Sequence, residues 1–257
     1  MQSRKPLFGA RGISSLCIVA AIICWGASGA SAAAVPLPAN ATLQDLINLN
    51  ASGGVQVGNF TFSDFSFTPT TGSPTNPAPA ASQISVSTAP GPNVGLTFNS
   101  FWESIPGGNQ DGIIRYAVQV AQGNVIDQVN LGFNGAAPVP SVGTNASVTE
   151  TVSTLLTTGN NTPVGPGNAI GQLTVSNSVA TGSTTTNNST LTLAAPQQGI
   201  FVSKDVQVVS GPNGISTISW VDNTYHSTQG GPIIPEPASI GLLGVMGVGL
   251  LARRRRV

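Results

Sequence analysis

From Phe60 onward, apolar side chains return at every second position in short runs divided by Gly, Pro and Asn, a spacing that turns them to one face only in extended strands. Phe60 and Phe62 alternate with polar neighbours, and so do Phe65 and Phe67, but the phase slips by one residue at Ser63-Asp64. One extra residue is what a β-bulge inserts, so a bulge or bend is predicted there, with the four rings in the core. Further strands are predicted over 84–87, 94–98, 113–120, 125–133, 146–152, 172–175, 191–193, 200–209 and 215–220. Many short strands between turn residues point to an all-β fold, a β-sandwich or jelly-roll-like ectodomain. One short N-terminal helix precedes them over 42–49. Thr42 and Asp45 have capping-box spacing, Leu43, Leu46 and Ile47 share a face, and Gly53-Gly54 ends the helix. Segments 68–79, 159–168 and 181–189 read as loop or mobile linker. No internal repeat supports a solenoid.

Of the 257 residues only 7% are charged, far below the roughly 25% of an average soluble domain. Ser, Thr, Asn and Gly carry the polarity instead, and these side chains compete with a helical backbone. Charge is also segregated. Between residues 33 and 231, Arg115 and Lys204 are the only basic residues among eight acidic ones, an acidic balance that argues against a nucleic-acid partner. Both cysteines, Cys17 and Cys24, lie near the N-terminus, so the rest of the chain has no disulfide, thiolate metal site or cysteine nucleophile.

The two ends carry the most specific patterns. Residues 1–34 have the three parts of a secretion signal: Arg4, Lys5 and Arg11, then an apolar stretch over 13–25, then the small residues Ala30-Ser31-Ala32 as the cleavage site. The signal helix is expected to be removed, leaving an ectodomain over 35–231. Residues 232–257 hold Pro235-Glu236-Pro237-Ala238, an apolar run over 238–252, and the tail Arg253, Arg254, Arg255 and Arg256. The prolines keep the segment before the helix extended. The apolar run is short for a ~30 Å hydrocarbon core, a gap that snorkelling arginines and local thinning cover. The arginines act as a stop-transfer element that stays cytoplasmic, so the expectation is a single C-terminal transmembrane helix with the ectodomain outside.

The string PEPASIGLLGVMGVGLLARRRR resembles the PEP-CTERM sorting domain, which is also labelled as an ice-binding-protein C-terminal motif. The resemblance covers about the last 23 residues. It implies a Gram-negative bacterial protein that an exosortase recognises at Pro235, Glu236 and Pro237, and delivery to the cell surface or extracellular matrix alongside exopolysaccharide and biofilm. Exosortase, the membrane before processing, and exopolysaccharide are the partners it implies.

Within the ectodomain, catalytic signals are sparse and no cofactor is expected. His226 is the only histidine and sits in the polar tract before the C-terminal helix, with no second ligand at metal spacing. There is no G-x-S-x-G elbow, calcium loop or phosphate loop. Pairing of Glu103 with Asp111 or Asp127 would be needed for a glycosidase. The leading reading is therefore a non-enzymatic structural or binding protein, and the alternative is a secreted carbohydrate-active hydrolase or carbohydrate-binding protein. Trp102, Tyr116, Trp220 and Tyr225 discriminate: exposed rings suit sugar stacking, whereas buried rings suit a scaffold.

Overall fold

The computed structural model describes residues 33–70, 76–139, 141–158, 162–179 and 184–230. The expected secretion signal with Ala30 and Ala32, and the expected sorting segment with Pro235, Glu236, Pro237, Ala238 and Arg253 to Arg256, lie outside the described residues. Among the described residues no helix is long and apolar enough to cross a membrane.

Two sheets stack over one core as a β-sandwich. The strands are β1 (Val35–Pro36), β2 (Val55–Val57), β3 (Phe60–Thr70), β4 (Ser85–Thr88), β5 (Val94–Ser104), β6 (Asn109–Val120), β7 (Asn124–Val139), β8 (Asn145–Thr157), β9 (Pro163–Ser178), β10 (Thr184–Thr186), β11 (Asn188–Gln197), β12 (Gly199–Val209) and β13 (Ile215–Gln229). The larger sheet runs β1-β2-β3-β6-β12-β8-β9-β10 and the smaller β11-β7-β13-β5-β4. All pairs are antiparallel except β1 with β2. Consecutive strands β5 to β8, and again β11 to β13, pass from one sheet to the other, so the inward faces of both build the same core.

The helix forms as expected. α1 (Leu43–Asn48) carries the capping box, with Asp45 N donating to Thr42 Oγ1 and Thr42 N donating to Asp45 Oδ2. Leu43 and Leu46 are buried, and the chain leaves through a 3-10 turn into Gly53, which takes the left-handed conformation at φ 81°. The bulge is where the phase slip puts it. The β3–β6 register shifts between Ser63 and Ser66, and Asp64 has φ 55°. Phe65 loses its strand partners there, and the Asn50 side chain supplies both: its Nδ2 donates to Phe65 O and its Oδ1 accepts from Phe65 N, each at 2.8 Å. Phe60, Phe62 and Phe65 are buried, and Phe67 is half-buried.

Within their described residues the three linkers are corrected in part. Segment 68–79 begins inside β3, and its far end is tied by Asn76 Nδ2 to Glu103 O at 2.7 Å and by Gln110 Nε2 to Asn76 Oδ1 at 2.8 Å. Segment 159–168 contains the start of β9, paired with the end of β8. Segment 181–189 contains β10 and the start of β11. Backbone pairing holds the strand residues of these polar stretches extended without needing apolar side chains, whereas β5 and β13 run past their predicted ends with Trp102, Val221 and Tyr225 still on the inward face.

Candidate functional site

Alternation in β12 places Lys204 among Val202, Val206 and Val208, on the inward face of the larger sheet. Glu150 holds the same phase between Val148 and Val152 of β8 and is its direct cross-strand partner. Facing them from the smaller sheet is Asn223, in phase with Val221 and Tyr225 on β13. All three are fully buried. Lys204 Nζ lies 2.6 Å from Glu150 Oε2 and also contacts Asn223 Oδ1. Asn223 Nδ2 donates to Glu150 Oε1 at 2.9 Å and to Asn130 O at 3.2 Å. Tyr116 Oη donates to Asn223 Oδ1 at 3.1 Å and lies 2.8 Å from Tyr225 Oη. The ring of contacts is closed, as a buried polar cluster must be to survive.

Aromatic side chains wall this cluster. Tyr116 stacks on Phe65 with centroids 5.5 Å apart and meets Phe62 and Phe98 at 6.3 and 5.8 Å, while Tyr225 meets Phe60 and Phe62 at 6.0 and 5.8 Å. Burial in these walls drives the Lys204 amine below its ordinary value, against the pull of the Glu150 charge. Burial likewise raises both tyrosines well above theirs, so they stay protonated donors. Neither Lys204, Glu150 nor Asn223 stood out as a candidate from sequence. The available signal was phase, a polar residue occupying an inward position in three separate valine-flanked strands.

The residues that sequence did single out end up elsewhere. The polar tract that holds His226 is the end of β13, where its Nδ1 lies 2.7 Å from Asp127 Oδ1 across the β13–β7 register, both partly open to solvent. Among the described residues no group of three or more His, Cys, Asp or Glu side chains gathers as a metal site. Trp102, Tyr116 and Tyr225 are in the core and Trp220 is half-buried. Among the described residues the exposed aromatic ring is Phe101, at 66%.

Of the carboxylates weighed for a glycosidase pair, Asp127 is taken by His226, and Asp111 faces Asp205 diagonally across β6 and β12 on the outward face of the larger sheet. Partial burial first, and then the Asp111 contact and charge, push the Asp205 carboxyl up to about 6 from an ordinary 3.8. The folded chain therefore holds a proton that the unfolded chain releases. The resulting stability is fully present below pH 3.8 and is lost as the pH rises through about 6. Asp205→Asn should match the parent below pH 4 and exceed it above pH 7 by about 1 kcal/mol, discounted for solvent screening. Urea unfolding at the two pH values measures this, and equal stabilities at pH 7 would refute the shared proton.

On the outward face of the smaller sheet, a groove of 320 Å³ is lined by Pro90, Asn93, Asn130, Asn188, Thr190 and Asp222, among others. Gly132 forms its bare floor, where an added Cβ would sit 2.1 Å from Asp222 Oδ1. That oxygen is buried without a hydrogen-bond partner. Burial raises the Asp222 carboxyl, opposed by the charge of Lys204.

No protein-family model matches the chain, and no curated protein matches it. Among solved structures, the chain is similar to the carbohydrate-binding module TmCBM61 in complex with beta-1,4-galactotriose, at 12% identity and a TM-score of 0.27, over 65% of this chain and 90% of that one. It is also similar to the enzymatically active domain of tailspike protein 4 of bacteriophage CBA120, at 16% identity and a TM-score of 0.22, over 63% of this chain and 19% of that one. At those scores neither likeness bears on what this chain does.

Proposed function

We propose that the chain is an exported, non-enzymatic β-sandwich displayed on the surface or in the extracellular matrix of a Gram-negative bacterium. In this reading, an exosortase sorts it through the C-terminal Pro-Glu-Pro segment. The observation that carries the proposal is the order of parts at the C-terminus, Pro235-Glu236-Pro237, then an apolar run, then four arginines, opposite an N-terminal secretion signal. The ectodomain supports a scaffold over a hydrolase. Three of the four discriminating rings are in the core, and its most concentrated polar chemistry is shut between the sheets. Contact with exopolysaccharide would fall on the outward faces, where the groove over Gly132 offers amides, hydroxyls and one carboxylate to a hydroxyl-rich chain.

Glu236→Ala, and separately truncation before Arg253, should each accumulate a full-length precursor in the membrane fraction. The parent should yield a shorter surface form. Immunoblotting of fractionated cells that contain an exosortase reads this out, and normal processing of both variants would refute sorting through this segment.

A further inference from the structure

We propose that Lys204 and Asn223 become joined by a side-chain amide bond, formed by the protein on itself, that ties the larger sheet to the smaller one. The reacting groups are already in place. Nζ contacts Asn223 Oδ1, one carbonyl bond from the carbon it would attack, and both residues are fully buried. Glu150 bridges the amine to the leaving group, with Oε2 2.6 Å from Lys204 Nζ and Oε1 2.9 Å from Asn223 Nδ2. Tyr116 Oη donates to the carbonyl oxygen at 3.1 Å, where negative charge develops during attack. An amine is a nucleophile only when neutral, and burial already shifts Lys204 in that direction.

The step balances without any added reagent. Lys204 Nζ passes one proton to Glu150 Oε2, and the neutral amine adds to Asn223 Cγ to form the Nζ–Cγ bond. Tyr116 holds the resulting oxyanion. Glu150 then delivers a proton to Nδ2, the Cγ–Nδ2 bond breaks, and ammonia leaves as the carbonyl re-forms. The second Nζ proton passes to Glu150 as the first is spent, which leaves a secondary amide with one N–H. Nothing is oxidised or reduced. An ionic contact is a poor reason to keep a lysine, a glutamate and an asparagine together in a core, because a buried ion pair commonly stabilises no more than apolar residues of the same size. A covalent link gives the arrangement a purpose in a domain whose described residues contain no cysteine.

Peptide mapping of the purified, folded protein tests this, independently of how the chain is sorted. Asp-N cuts before Asp205 and Asp222, which separates Lys204 from Asn223 unless they are bonded. A single species joining the two peptides is expected, lighter than their sum by about 17 Da for the lost ammonia. Glu150→Gln, which cannot relay the proton, should give the two peptides free and at full mass. Unlinked Lys204 and Asn223 peptides from the folded parent would overturn the proposal, as would ammonia loss confined to one peptide, the mark of a succinimide. Complete linkage in Glu150→Gln would overturn the relay. The parent's own map decides the bond even if that variant does not fold.

Discussion

Lys204→Met lowers the unfolding free energy by about 3–5 kcal/mol, because it removes the partner of a fully buried carboxylate and leaves Glu150 without its lysine among valines and aromatic rings. The loss is asymmetric with respect to the pair. Glu150 keeps a hydrogen bond from Asn223 Nδ2, which is too little to offset its desolvation. The double variant Lys204→Met/Glu150→Leu should recover the part of that loss due to the unpaired charge, though not the part due to the missing Lys204–Asn223 bond, and Asn223 still accepts from Tyr116 and donates to Asn130 O. Urea unfolding of the parent, both single variants and the double variant gives the coupling directly. Additive losses, with the double variant the least stable of the four, would show that the two side chains do not act as a unit.

This cluster also marks how far the fold could be read from the chain. The period-two runs revealed the strands because burial on one face writes itself into alternate positions. The Thr42–Asp45 box and the slip at Ser63-Asp64 were visible because each is a local device. Strand ends were not, since β7 and β9 continue through Gly, Asn, Ala and Ser on backbone pairing, and β5 and β13 carry single buried side chains such as Trp102 and Tyr225 between polar neighbours. Lys204 and Glu150 carried a phase signal, but a tally of basic against acidic residues treats both as solvent-facing charge. Asn223 lies 73 residues from Glu150 and 107 from Tyr116, separations at which only the strand order of two sheets decides who meets whom. The His226–Asp127 contact spans 99 residues and has no local trace at all. For the same reason the Pro-Glu-Pro, apolar and arginine pattern, whose parts are contiguous, is visible in the sequence, whereas every cluster between the sheets needed the fold.

Gly95→Ala should cost about 4 kcal/mol or more, the range reserved for changes the surroundings cannot absorb. Gly95 pairs with Thr224 in the β5–β13 ladder, and a Cβ there would lie 1.8 Å from the carbonyl oxygen of Asn223 and 2.7 Å from its carbonyl carbon. Those are backbone atoms of the central strand of the smaller sheet, so no side-chain rotation relieves the contact. Gly107 is the informative comparison. It has φ 71°, but nothing lies within 4 Å of an added Cβ, so Gly107→Ala meets only the left-handed backbone penalty of about 1–2 kcal/mol. If Gly95→Ala lost less than Gly107→Ala in urea unfolding, the close approach of β5 to β13 would not be as described. The displaced backbone also belongs to Asn223, so the variant should carry its amide away from Lys204 and Glu150. Any Gly95→Ala protein that still folds should then show less of the joined Lys204–Asn223 peptide than the parent, because positioning by β5 is what holds the reacting carbon in line.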